Sequence, residues 1–240
     1  MIKGLIFKML LGKKASSETY INYLRKKGAK IGDRTIFFSP HQISVDVVNP
    51  WLIEIGDDVQ ITGGVRILTH DYSWSVLKHK YGEILGSVGK VKIGNNVFIG
   101  SDSILLKNTD IGNNVIVGAG SVVNNKIPDN CIAAGNPCKV IMSLDEFYEK
   151  RKKKQREEAV ALAKAYFERT GVIPPKEIFH EYFFLFEDGS SLINAFNKKL
   201  ELTGNFEESL DALKKNNNMF RNYDEFILKC NLNVGVSKFV

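Results

Sequence analysis

The triplet Thr69-His70-Asp71 places an imidazole beside a carboxylate at the start of a segment dense in aromatic side chains. A neutral imidazole is the side chain best suited to take a proton near pH 7, which makes His70 the candidate general base. The alternative is a histidine that merely fills a corner of the fold. Asp71 has two readings as well: it orients the imidazole or binds the acceptor, or it caps a turn. Residues 69–90, THDYSWSVLKHKYGEILGSVGK, also hold a rival base in His79. Tyr72, Trp74 and Tyr81 in the same segment offer ring surfaces for stacking on a sugar.

A repeat must position these residues. From residue 31 an apolar side chain recurs every six positions, at Ile31, Phe37 and Ile43, then at Ile55, Ile61 and Ile67. Asn49, beside Pro50, breaks the count. The beat resumes at Ile93, Ile99, Leu105, Ile111, Val117 and Val123. Glycine follows six of these twelve residues, at Gly32, Gly56, Gly94, Gly100, Gly112 and Gly118. Four places after nine of these apolar residues stands a small or β-branched one: Thr35, Val47, Val59, Val65, Val97, Ser103, Thr109, Val115 or Ser121. A period of six fits neither a helix nor a plain strand. It fits a coil of three short strands and three turns, with inward side chains stacking about 4.8 Å apart from coil to coil. The small residues belong at the corners, and glycine is expected there for its turn conformation. Roughly five coils are implied. After Ile67 the beat should continue at residue 73, but it restarts two places out of phase at Ile93. Such an excursion from a regular stack usually carries function, and here it begins at His70.

The pattern resembles that of the hexapeptide-repeat acyltransferases, [Leu/Ile/Val]-Gly-x-x-[small]-x, over residues 28–142. The stretch from Val91 to Ile141 is similar to the closing coils of galactoside and maltose O-acetyltransferases, and Thr69-His70-Asp71 resembles the coil-to-loop junction of capsular polysaccharide O-acetyltransferases. The resemblance implies a mainly β protein, a left-handed parallel β-helix, and a homotrimer with active sites in the grooves between subunits. It also implies direct transfer of acetyl from acetyl-CoA, a cosubstrate, to a carbohydrate acceptor in surface polysaccharide synthesis. No covalent nucleophile is needed. The base maps onto His70, or onto His79 if the galactoside-type arrangement is followed. Backbone contacts to the pantetheine arm map onto Ser101, Ala119 and Gly120, and a phosphate contact onto Lys139 in the closing motif Ala134-Gly135-Asn136-Pro137-Cys138-Lys139. Two departures stand out. Phe98 occupies a position where tryptophan is common, and Val123-Asn124-Asn125-Lys126 replaces the usual Val-Thr-Lys-Asp. N-acetylation of an amino sugar and a non-catalytic scaffold for a polysaccharide-synthesis complex are the alternatives. A zinc enzyme on the same coils would need three histidine ligands; His41, His70 and His79 contain no closely spaced pair, so no metal is expected.

The rest of the chain sets limits. It has 240 residues, 44% hydrophobic and 25% charged, the balance of an ordinary globular protein. The net charge of +6 suits an anionic ligand, and no nucleic-acid recognition motif accompanies it. Cys131, Cys138 and Cys230, an odd number without metal-like spacing, read as reduced packing residues of a cytoplasmic protein. No run reaches the ~20 apolar residues that span a bilayer. The stretch Leu5 to Leu11 is broken by Lys8; it either packs on the domain beside it or rests peripherally on a membrane surface. Residues 1–30 form an N-terminal helical segment, with a capped helix over 16–28. Residues 31–142 form the β-helix, with an inserted loop over 71–90. Residues 143–240 form an α-helical extension that begins with a capping box at Ser143 and Glu146. In it, Glu149 to Glu158 has no apolar residue and six basic ones, read as a solvated face or a site for an acidic glycan, a CoA phosphate or an anionic membrane. The aromatic stretch that follows, including Phe179, Tyr182, Phe183, Leu185 and Phe186, forms a core of its own or docks on the trimer.

Overall fold

The computed structural model describes residues 11–232, so the reading of residues 5–10 as a surface-seeking segment lies outside it. The chain divides into two compact units, one ending at Phe147 and the other beginning at Tyr148.

Unit one opens with α1 (Ser17–Lys27), capped reciprocally by Ser16 and Thr19 and closed by Gly28 in the left-handed region. Its buried face, Tyr20, Ile21 and Leu24, covers the start of the coil stack, and the Tyr20 ring meets Phe37 edge-on at 5.5 Å. Arg25 ties the cover down by donating to the carbonyls of Ile31 and Gly32.

The coils follow in a threefold rotation. The first face stacks β1 (Lys30–Ile31), β4 (Ile53–Ile55), β7 (Val91–Ile93), β10 (Asp110–Ile111) and β13 (Lys126–Ile127) in parallel. The second stacks β2 (Ile36–Phe37), β5 (Gln60–Ile61), β8 (Val97–Ile99), β11 (Val115–Val117) and β14 (Cys131–Ala134). The third holds β3 (Ser44–Val45), β6 (Arg66–Ile67), β9 (Ile104–Leu105) and β12 (Val122–Val123). This makes four full coils and two faces of a fifth. A final strand, β15 (Lys139–Ser143), turns antiparallel on β14 and ends the stack. Each inward residue lies on its counterpart, as in the column Ile31, Ile55, Ile93, Ile111 and Ile127, all 6% exposed or less. Burying one such side chain contributes about 1.5–3 kcal/mol.

Two expectations are corrected. The six-residue count through Ile43 and Val47 is two places out on the third face. A short 3-10 turn at Pro40–Gln42 adds length, so Val45 stacks on Ile67, Ile43 takes the corner below Val65, and Val47 is exposed. The hexad glycines are also not there for a left-handed turn. That conformation falls two places later, at Arg34, Asp58, Asn96, Asp102 and Asn114. The glycines are needed for closeness instead: a Cβ on Gly56 would lie 2.6 Å from the Gly94 carbonyl oxygen, and one on Gly94 would lie 2.5 Å from that of Gly112. Beside them runs a side-chain ladder. Asp57, Asn95, Asn113 and Asp129 each accept the N–H of the residue one coil before, at 2.7 or 2.8 Å.

Unit two contains most of α3 (Leu144–Thr170), then α4 (Asn194–Glu201), α5 (Phe206–Lys215) and α6 (Tyr223–Lys229). Its aromatic residues form a core of their own. Phe179, Phe183, Phe186, Phe196 and Phe226 pack together with ring centroids 4.7–6.3 Å apart. Tyr223 donates to the Pro174 carbonyl, and burial pushes its hydroxyl up to about 12. Among the described residues no helix is long and apolar enough to cross a membrane.

Gly56→Ala forces backbone apart between coils and should cost about 1–3 kcal/mol in chemical denaturation. Gly86→Ala, where an added Cβ meets nothing within 4 Å, should leave stability within about 0.5 kcal/mol.

Candidate active site

The excursion leaves the third face just after β6. It is not a bare loop: it contains α2 (Trp74–Tyr81), ended by Gly82 in the left-handed region. Its two ends are stitched together before it departs. The Gly89 N–H donates to the Thr69 carbonyl at 2.9 Å, the Asp71 N–H to Ser87 at 3.2 Å, and His70 bridges antiparallel to Val88. His70 is therefore held on a short, paired backbone at the point where the coil opens.

The carboxylate that meets its ring comes from the preceding coil. Asp46 follows β3, and its Oδ2 lies 2.5 Å from His70 Nδ1. The same oxygen accepts the Thr69 hydroxyl at 2.5 Å and the Thr69 N–H at 3.1 Å, while Oδ1 accepts the Val48 N–H at 2.8 Å. The Asp46 side chain is only 4% exposed. That burial works to raise its pKa, but hydrogen bonds from Thr69, Val48 and His70 outweigh it and hold the carboxyl below the usual range. An ionised carboxylate only accepts, so Nδ1 must carry the hydrogen, and the Nε2 lone pair is left to receive a proton.

Asp71 has a different task. Lys107, one coil on, donates to it and to Ser87, and Asp71 also accepts the Ser73 N–H at 2.9 Å and both serine hydroxyls. The Lys107 ammonium, the Ser73 hydroxyl and N–H, and the Ser87 hydroxyl together hold its carboxyl well below the ordinary range. Asp71 thus anchors the excursion and is not on the imidazole. Tyr72 packs edge-on against the His70 ring at 5.2 Å, and Trp74 lies 6.0 Å from Tyr72. Tyr81 is at the other end of α2, exposed, with the Lys80 ammonium over its ring. His79 is exposed in the last turn of that helix.

The residues assigned to the cosubstrate gather at one corner, between the second and third faces. Gly120 donates to the Ser101 carbonyl at 2.8 Å, with Ala119 beside it; Ser101 reaches Thr62 one coil earlier. Lys139 pairs opposite Ala134, which takes the same corner in the last coil. This corner and the His70 corner are at opposite ends of the third face. A groove of 530 Å³ on the first face, lined by Lys92, Asp110 and Lys126 among others, does not include either. Among the described residues no three His, Cys, Asp or Glu side chains cluster as metal ligands would.

Residues 90–125 match the family described as bacterial transferase hexapeptide, six repeats. The chain is 45% identical over 124 residues to protein CapG of Staphylococcus aureus, an alignment covering 52% of this chain and 71% of that protein. The chain belongs to the hexapeptide-repeat acetyltransferases. It is 35% identical over 103 residues to the galactoside O-acetyltransferase of Escherichia coli, covering 43% of this chain and 50% of that enzyme. Among solved structures, a maltose O-acetyltransferase from Clostridium difficile is 30% identical with a TM-score of 0.39, covering 58% of this chain and 81% of that one. The Asp46–His70 pair has the geometry of a carboxylate-oriented imidazole. Sequence reasoning missed Asp46 and Lys107, since each lies a coil away from the residue it serves.

A carboxyl lowered by native contacts stabilises the fold above its unfolded pKa, and that contribution is lost as pH falls through its folded value. Asp46→Asn should therefore melt lower than wild type at neutral pH, and the gap should close as the pH drops below the ordinary carboxylate range. Parallel melting curves from pH 7 downwards would remove Asp46 from this role.

Proposed function

We propose that this acetyltransferase moves acetyl from acetyl-CoA directly to a hydroxyl of a surface polysaccharide or its precursor, with His70 as general base. The observation that carries the reading is the buried Asp46 carboxylate 2.5 Å from His70 Nδ1, at the point where the coil opens into an aromatic excursion. His70 Nε2 takes the proton of the acceptor hydroxyl as that oxygen attacks the thioester carbonyl. Asp46 stabilises the imidazolium that forms. When the C–S bond breaks, His70 returns the proton to the departing sulfur, so nothing else is consumed. Tyr72 and Trp74 are suited to stacking on the acceptor ring. The likeness to the galactoside O-acetyltransferase supports a carbohydrate hydroxyl as the acceptor.

The small residues Ser101, Ala119 and Gly120 suit a pantetheine arm, because backbone amides are reachable where no bulky side chain intervenes. Lys139 stands at the same corner for a phosphate. Because this corner and His70 lie at opposite ends of one face, a complete site draws its two halves from different copies of the chain. A homotrimer fits the outward surfaces. The first face presents Lys30, Glu54, Lys92, Asp110 and Lys126, alternating in sign down the stack. The other two present Gln60, Ser44 and Arg66 on the early coils and Phe98, Ile116, Ile104 and Val122 on the later ones, an apolar patch that association would cover.

A thiol-release assay with acetyl-CoA and a panel of glycans tests the proposal. His70→Ala should lose roughly 10²–10⁴-fold in turnover while His79→Ala stays near wild type. Full activity in His70→Ala, or its loss in His79→Ala with the fold intact, contradicts it. Sedimentation should return three chains per particle for all of these proteins, and a monomer with full turnover would contradict the shared site.

A further inference from the structure

Unit two holds a cleft of 390 Å³ lined by Lys153, Arg156, Glu157, Val160 and Lys164 of α3, by Lys229 and Cys230 at the end of α6, and by Asn231. The α3 residues fall at intervals of three, four and seven, so they share one side of the helix. Four cations face a single carboxylate. Among the described residues none of Lys153, Arg156, Lys164 or Lys229 has an acidic partner within 4.0 Å, although their neighbour Arg151 is held by Glu158 and Lys152 approaches Glu149. Leaving four like charges along one cleft works against folding, because each repels the others. The floor is the buried Cys230, whose thiol is pushed up by burial against the opposing field of Lys164 and Arg156.

The shape of this charge selects its ligand. At a rise of about 1.5 Å per residue, Lys153 to Lys164 extends over about 16 Å. That is a line of cations rather than a cradle converging on one phosphate, and it suits a long anion with charges spaced along its length. The stripe has no apolar side chain besides Val160 to enter a bilayer, and no aromatic ring among its lining residues to stack on a nucleobase.

We propose that unit two carries its own binding site for a linear carboxylated glycan, laid along α3 and across the end of α6. Holding the polymer there would raise its local concentration for the acetyl-transfer site. The choice of a glycan rests on the acceptor reading above; the existence of an anion site does not.

The test is fluorescence anisotropy with labelled polygalacturonate on the full chain. Wild type should bind, more weakly as salt rises, and a neutral dextran should not compete. The pair Arg156→Gln, Lys164→Gln should weaken binding roughly tenfold. The pair Lys198→Gln, Lys215→Gln has the same net charge but lies outside the cleft, and it should bind as wild type does. Acetyl transfer to a small neutral sugar should be unchanged in both. Equal binding by the two pairs, or no binding by wild type, overturns the site even if transfer proceeds. Preference for phosphatidylglycerol vesicles over the polymer also overturns it, in favour of a membrane. Cleft-dependent binding without any acetyl transfer would sustain the site and sink the catalytic reading instead.

Discussion

Val45 lies on Ile67, and the Asp46 N–H donates to the Ile67 carbonyl at 2.9 Å. From that pairing the site follows. It sets the Asp46 carboxylate against the backbone and hydroxyl of Thr69, and so against the His70 ring. A slip of one residue between β3 and β6 would turn every side chain on the strand to the opposite side and carry the carboxylate away from the imidazole. The register is protected by what lies inside. Val45, Ile67, Leu105 and Val123 form a continuous apolar column, and a one-residue slip would turn Val45 out of it.

The stack also explains how the proposed active site can be built on a twenty-residue insertion. Coils can approach closely because glycine stands where the next backbone passes, and the Asp/Asn ladder satisfies the N–H groups at that corner. The excursion then inherits this rigidity at its root, through the His70–Val88 bridge and through Asp71, which Lys107 holds from the following coil. Beyond that root the excursion is open surface, with Val76, Ile84 and Leu85 exposed, and at the root itself Tyr72 and Val88 also face outward. In this arrangement the His70 ring is fixed at the root while the outer surface of the excursion remains accessible.

Much of this was legible in the residues. The six-residue beat reveals the coil because a single inward position per face must stay apolar, and the break at Ile67 points to His70. The count fails between Ile43 and Asn49 because a 3-10 turn lengthens that coil, which local spacing does not reveal. The same slip conceals Asp46: its place beside His70 depends on register across 24 residues, and nothing near His70 in sequence predicts it. Asp71 drew attention by adjacency alone, whereas its partners Ser87 and Lys107 are 16 and 36 residues away. The place of glycine in the hexad is legible but its physical reason is not, since closeness of coils, not turn conformation, requires it. In unit two the run of phenylalanines announced a core, and the basic run beside it showed charge without showing which cations would stay unpaired.

The most direct measurement on the central claim is the ¹⁵N spectrum of the His70 imidazole near neutral pH, assigned with a His70→Gln variant. Asp46 as an ionised acceptor predicts the Nδ1–H tautomer, with Nε2 unprotonated and shifted accordingly. A neutral ring with its hydrogen on Nε2 and Nδ1 bare, or one averaging rapidly between tautomers, would show that Asp46 does not hold the ring and would contradict the account.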